Sequence, residues 1–249
     1  MSTVKVRGVV LRETPVGESD KLITLMTKER GKISVSARGA RKTKSKYLAG
    51  TQLFTYSDFV LFDGKHFFSV TQIDIIENFY AVRCEYDKLC CGNLFVEMCD
   101  KLILENMPCE DVLFLLLKAL QALAQGRMRA QLVSRAFEFK FMQLNGYAPE
   151  LTRCSQCGGP LPDYGPGFGR FGLLCEDCCP EEENPGVIRI SVETVSVIRY
   201  ILSTDTSDLF RFNVQGQTAR ELLAASVIFI NAHVEQRIKS ISFLINLGG

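Results

Sequence analysis

Long hydrophobic runs are missing from this chain of 249 residues. A membrane-spanning helix needs about 18 to 20 consecutive apolar residues. The most apolar stretch, Val112 to Ala124, is interrupted by Lys118 and Gln121 and reads as a buried helix. The opening Met1 to Arg12 has no apolar core of the kind a secretory signal carries, so a cytoplasmic protein is expected. Histidine is scarce. The two present, His66 and His233, fall on an expected strand and an expected helix, without a partner motif nearby. A Walker phosphate loop, a Gly-rich dinucleotide fingerprint, a nucleophile elbow and a clustered acidic nuclease set are all absent. These absences argue against an enzyme. No internal repeat is evident, and a formal charge of +1 speaks against indiscriminate binding of polyanions.

Cysteine, by contrast, is plentiful and ordered. Cys154, Cys157, Cys175 and Cys178 form two C-x2-C pairs separated by seventeen residues. Two such pairs on tight turns direct four thiolates at one centre, the all-sulfur tetrahedron that structural zinc prefers. The intervening segment is rich in Gly and Pro and has too little apolar periodicity to form a core of its own, so a metal supplies the cross-link. With four thiolates no coordination position is left for water, and the zinc, one per chain, is structural. Cys179, next to Cys178, is an alternative fourth ligand, and an iron–sulfur cluster is compatible with the spacing. Cys84, Cys90, Cys91, Cys99 and Cys109 lie in apolar helical company and read as small buried hydrophobes in a reducing compartment.

Charge is distributed unevenly. Residues 1–80 hold thirteen Lys/Arg against eight Asp/Glu, a balance of +5, and the remainder sixteen against twenty, a balance of −4. The same first 80 residues read as β structure: runs at 4–11, 21–27, 32–37, 51–62 and 66–76, with Gly8 at a bulge and Asp63-Gly64-Lys65 as a hairpin turn. Five strands without an intervening helix suit a small closed barrel. From Ala81 the spacing becomes helical. Helices are expected at 112–125, at 131–144 (ended by Asn145-Gly146), at 192–202 with Ser191 as N-cap, and from about Thr218 to Leu247. The expected architecture is α+β: a barrel domain at 1–80, a helical domain at 81–150 and 187–249, and a metal module at 151–186.

Between the third and fourth expected strands runs Arg38-Gly39-Ala40-Arg41-Lys42-Thr43-Lys44-Ser45-Lys46-Tyr47. Oligonucleotide-binding (OB) barrels bind through a strand face and flanking loops. Arg38, Arg41, Lys42, Lys44 and Lys46 would neutralise phosphates without reading sequence, and Tyr47, Phe54 or Tyr56 would stack on bases. A loop of this composition is also compatible with a solvated surface.

Several runs resemble the RecO family of bacterial DNA repair and recombination mediators. They are Gly8-Val-Val-Leu-Arg-Glu, Glu18-Ser-Asp-Lys-Leu, Gly31-Lys-Ile, Arg38-Gly39, Gln143-Leu-Asn-Gly-Tyr-Ala-Pro-Glu-Leu leading into the first cysteine pair, and Lys239-Ser240. The resemblance spans nearly the whole chain, and Gly146-Tyr147-x-Pro149 is its most distinctive part. It implies an OB barrel, a helical domain and an inserted zinc module, whose cysteines some members have lost. It further implies a non-enzymatic function: binding single- and double-stranded DNA, annealing complementary strands, binding RecR, and helping to load RecA onto strands coated by single-strand-binding protein. The acidic, apolar tail of that last partner calls for an apolar pocket beside a few cations. Arg127 and Arg129, or Arg237 and Lys239 beside Ile241 and Phe243, are the candidates. The alternatives are a barrel-and-zinc factor that binds RNA, and a zinc-stabilised scaffold for proteins.

Overall fold

The computed structural model describes residues 2–64, 67–179, 186–236 and 238–241. The chain divides into two compact units, Met1–Ala124 and Gln125–Gly249. The first three helices therefore share a unit with the barrel, and the division falls inside the segment 81–150.

In the first unit five strands close into a barrel: β1 (Ser2–Val16), β2 (Asp20–Thr27), β3 (Gly31–Ala37), β4 (Tyr56–Asp63) and β5 (Phe68–Glu77). Their order is β1-β2-β3-β5-β4, with β4 returning to β1 and with β3 and β5 parallel, which is the OB fold. Val6, Val10, Ile23, Leu25, Val35, Phe59 and Leu61 fill its interior. Residues of the opposite parity, Val9, Leu11 and Met26, are also buried yet lie outside that interior cluster. Both sides of β1 and β2 are thus covered. The outer cover includes α2 (Tyr86–Leu102), which packs on β1. A helical turn, α1 (Tyr80–Cys84), precedes it and α3 (Glu110–Gln125) follows. Lys32 Nζ donates to the Asp100 carbonyl, Arg12 pairs with the Asp100 carboxylate at 3.2 Å, and Asn106 N–H bonds the Lys32 carbonyl at 3.0 Å.

Two local expectations are corrected. The irregularity in β1 lies between Val10 and Arg12, not at Gly8. Gly8 is needed because a Cβ there would sit 2.6 Å from the Met26 carbonyl oxygen. The fourth strand begins at Tyr56 and not at Thr51. Thr51 Oγ1 donates to the Tyr47 carbonyl at 2.9 Å and Thr55 Oγ1 to that of Ala49 at 3.3 Å, so side-chain hydroxyls hold residues 47–55 in turns. Lys65 and His66 lie outside the described residues, but Gly64 N–H reaches the Phe67 carbonyl at 3.3 Å and Asp63 pairs with Phe68, as a hairpin requires.

The second unit is built on α4 (Ala130–Leu144), whose residues 132–142 are all buried. It packs with α5 (Val192–Ser203) and α6 (Gly216–His233). Ser191 caps α5 through Thr194 N–H, as expected. Its own N–H and hydroxyl are tied to Glu221 of α6 at 2.8 and 2.7 Å. Burial would raise the Glu221 carboxyl, but hydrogen bonds from Thr194 and Ser191 outweigh it and hold it low. Within the core, Arg135 meets Glu138 at 2.6 Å and Ser226 Oγ at 2.9 Å. The last helix is shorter than its periodicity suggested. It stops at His233, whose ring nitrogen Nδ1 lies 2.8 Å from the Phe229 carbonyl, and Val234 N–H takes that of Ile230. Residues 242–247 of the expected helix lie outside the described residues. Between α4 and α5 stands a small sheet of β6 (Gly167–Gly169), β7 (Gly172–Leu174) and β8 (Ile188–Arg189), in the order β7-β6-β8.

Candidate nucleic-acid interface and metal centre

The sulfur atoms of Cys154, Cys157, Cys175 and Cys178 lie within 4.8 Å of one another, and those of Cys157 and Cys175 are 3.7 Å apart. Four thiolates about 2.3 Å from one ion would be spaced about 3.8 Å apart, so the cluster has the dimensions of a tetrahedral sulfur site. Cys179 is not in the group. It is buried beneath β6, where a Cβ on Gly167 would approach its sulfur to 2.8 Å.

Each pair sits on a turn that its own backbone fixes. Gly158, at φ 74°, returns its N–H to the Cys154 carbonyl, and Gly159 N–H points at Cys157 Sγ, 3.4 Å away. Only glycine adopts that conformation cheaply. Cys179 N–H closes the second turn on the Cys175 carbonyl at 3.0 Å. Electrostatically the four thiols compete. Burial raises Cys154, but hydrogen bonds from the backbone of Cys157, Cys175 and Gln156 bring it down to about 6. Hydrogen bonds with Cys175 and Cys157 push Cys178 up to about 12. One anion is favoured and the next is resisted, because like charges share one small volume. A divalent cation removes that conflict, so the donors fit a metal that binds sulfur.

On the barrel, Arg38, Arg41, Lys42, Lys44 and Lys46 are all exposed on the loop joining β3 to β4. The loop is tied down at several points. Asp20 Oδ1 accepts Gly39 N–H at 2.7 Å, and this bond, then Ser19, then the nearby Arg38 and Lys42 charges hold the Asp20 carboxyl low. Arg41 Nη1 donates to the Gly17 carbonyl at 2.8 Å. Lys46 Nζ lies 5.0 Å from the centre of the Tyr47 ring, and that ring packs against the barrel interior. Phe54 is no base-stacking residue. It is fully buried at φ 71°, and its ring tip would be 2.9 Å from a Cβ on Gly92 of α2. Tyr56 is half-buried beside the Arg7–Asp58 ion pair.

Arg127 and Arg129 line a cavity of about 580 Å³ together with Phe210, Arg211, Phe212 and Gln215. The Phe-Arg-Phe run between α5 and α6 was not singled out from sequence, because it lies in a loop without periodicity. Arg129 donates to the Val214 carbonyl, and Arg211 pairs with Asp208 at 2.7 Å. Lys239 is exposed, whereas Arg237 lies outside the described residues. No helix among the described residues is long and apolar enough to cross a membrane.

The architecture defines the class: an OB-fold barrel followed by helices that carry a four-cysteine cluster. Residues 1–79 match the family model described as Recombination protein O N terminal, and residues 83–241 the one described as Recombination protein O C terminal. The chain belongs to the RecO family. It is 35% identical over 246 residues to the DNA repair protein RecO of Acetivibrio thermocellus, covering 98% of this chain and 97% of that one. Similarity to the DNA repair proteins RecO of Symbiobacterium thermophilum (31% over 249 residues; 98% and 97%) and Alkaliphilus metalliredigens (32% over 238 residues; 94% and 94%) is of the same kind.

Proposed function

We propose that this protein is a DNA repair and recombination mediator. It binds single- and double-stranded DNA, anneals complementary strands and, with RecR, helps to load RecA onto strands coated by single-strand-binding protein. The observation that carries the reading is the exposed basic loop 38–46 on an OB barrel, in a chain matched by the RecO family along nearly its whole length. Five cations on a loop give sequence-independent, salt-sensitive binding. Screening the phosphates of two strands lowers the repulsion that opposes annealing. Nothing in this activity requires breaking a covalent bond. It is exercised on chromosomal DNA, in the cytoplasm.

In this reading residues 1–80 are the DNA-binding domain, and 151–186 form a module in which Cys154, Cys157, Cys175 and Cys178 hold one structural zinc. The cavity at Arg127 and Arg129 receives the acidic tail of single-strand-binding protein. Three guanidinium groups and two phenyl rings suit a short peptide with carboxylates and an aromatic anchor. Fluorescence anisotropy with homopolymeric DNA and RNA over a salt series tests the core of the reading. Tight, salt-dependent DNA binding with accelerated annealing is expected. Preference for RNA, or no binding to either, overturns it.

A further inference from the structure

Three aromatic rings gather around His233, with centroids at 4.6 Å (Phe229), 5.1 Å (Tyr147) and 5.8 Å (Phe171). They differ in what covers them. Phe229 continues inward to Phe139 and Phe168, at 6.1 and 6.4 Å, and all three are fully buried. That inner set docks the metal module onto α4 and α6. Tyr147 and Phe171 lie on the outer side and keep 46% and 57% of their surface exposed. The guanidinium of Arg170 lies 5.2 Å from the centre of the Phe171 ring. Phe171 also walls a cavity of about 760 Å³ that runs between the module and α6, past Gln156, Leu174, Ile228 and Asn231. This volume is in the range of roughly 300–1,000 Å³ typical of small-ligand sites.

From these residues we infer that the surface is a stacking site for an unpaired base of single-stranded DNA, an inference that rests on the DNA-binding reading above. Two exposed rings flanking an imidazole, one with a guanidinium over it, offer faces to any base without reading its identity. The side-chain amides of Gln156 and Asn231 are exposed and make no hydrogen bond to other described residues. Each can donate and accept, which suits a base edge of either polarity. An acidic peptide fits less well here. The lining has one cation, Arg170, whereas the cavity at Arg127, Arg129 and Arg211 has three. Duplex DNA is excluded because its base faces are already stacked.

The backbone builds this platform deliberately. Gly146, at φ 88°, ends α4, and Tyr147 N–H returns to the Met142 carbonyl at 2.9 Å, which fixes where the tyrosine emerges. The Gly146-Tyr147-x-Pro149 run thereby acquires a purpose beyond ending a helix. Phe171 is held by its carbonyl, which accepts Glu150 N–H at 2.9 Å. Next to it Gly172, at φ 130°, passes so close to Glu150 that a Cβ would fall 2.2 Å from its carbonyl oxygen.

Stacking involves no counterion release, whereas the basic loop acts through it. The test uses the full-length, metal-loaded chain carrying Tyr147→Ala and Phe171→Ala, with anisotropy on oligothymidine at several salt concentrations. Affinity is expected to fall about tenfold or more at every salt concentration with the slope unchanged, and duplex affinity to stay as it was. In the unmodified chain, an oligonucleotide containing 5-iodouracil should photocrosslink to Tyr147, Phe171 or His233, as mapped by mass spectrometry. Unchanged single-strand affinity, an equal loss on duplex, or crosslinks confined to the barrel would overturn the inference while leaving the DNA-binding reading intact. No DNA binding by the unmodified chain would instead remove that reading itself.

Discussion

The Tyr47 hydroxyl donates to the Thr71 carbonyl at 2.8 Å, and so fastens the end of the basic loop to β5 of the barrel. The five cations before it are therefore presented on an anchored loop. Replacing Arg38, Arg41, Lys42, Lys44 and Lys46 by Ala should weaken DNA binding about equally for all sequences and flatten its dependence on salt. Anisotropy across a salt series reads both quantities. An unchanged slope would mean that phosphates travel elsewhere.

The four-cysteine cluster should hold one zinc per chain by elemental analysis. Cys154→Ser or Cys175→Ser should lower the melting temperature by more than Cys84→Ser, because Cys84, contrary to the burial expected from its apolar neighbours, is exposed and lies outside the cluster. Chelation of the unmodified protein should reproduce the effect, and acid should release the metal as protons compete for the thiolates. Iron, or no metal, would contradict the assignment.

Arg135 and Glu138 are 4% and 2% exposed, and two of their atoms, Arg135 Nε and Glu138 Oε2, have no hydrogen-bond partner among the described residues. Glu138→Ala should cost about 3–5 kcal/mol by stranding the guanidinium, whereas Arg135→Met with Glu138→Leu should recover most of it. Burial pushes the Glu138 carboxyl up, against the pull of Arg135 and Ser134. An acid raised in the folded state favours folding most below its unfolded value, and that contribution is lost as pH rises through the folded one. The stability of the double variant relative to the natural protein should thus rise from pH 4 to pH 7 in chemical denaturation. A constant difference would show that the carboxyl is not raised.

A peptide ending in acidic and apolar residues should bind at the Arg127–Arg129 cavity with micromolar affinity. Arg127→Glu with Arg129→Glu should abolish that binding, as measured by calorimetry, and leave DNA affinity unchanged. Joint loss of both would place peptide and DNA on one surface.

The barrel and the cysteine cluster were legible in the sequence because each has a strong local signature: alternation with an Asp-Gly turn in one case, paired C-x2-C spacing in the other. What was not legible depended on distant contacts. Phe54 looks like an available aromatic in sequence, yet Gly92, nearly forty positions later, opens the space that buries it. The Lys21–Thr27 alternation suggested one wet face, but residues 23–27 are all buried, so both faces of this strand are covered by the rest of the fold. The end of α6 was missed since apolar spacing continues past His233, where the backbone turns extended at Val234 with nothing in the local pattern to mark it. Phe210 and Phe212 had no periodicity to mark them, and only folding brings them to Arg127 and Arg129.

The double cover of β1 and β2 has a consequence for traffic over the barrel. On β1 the side away from the barrel interior is already occupied by the chain's own helix α2. In the reading proposed above, a nucleic acid strand is not enclosed at that face but rides along the outside, over the exposed 38–46 loop, with one flank open to solvent. A strand held on such a rail keeps its pairing edges within reach of a second strand arriving from bulk. Release then needs no gate to open; a zipping duplex can lift off the rail base pair by base pair.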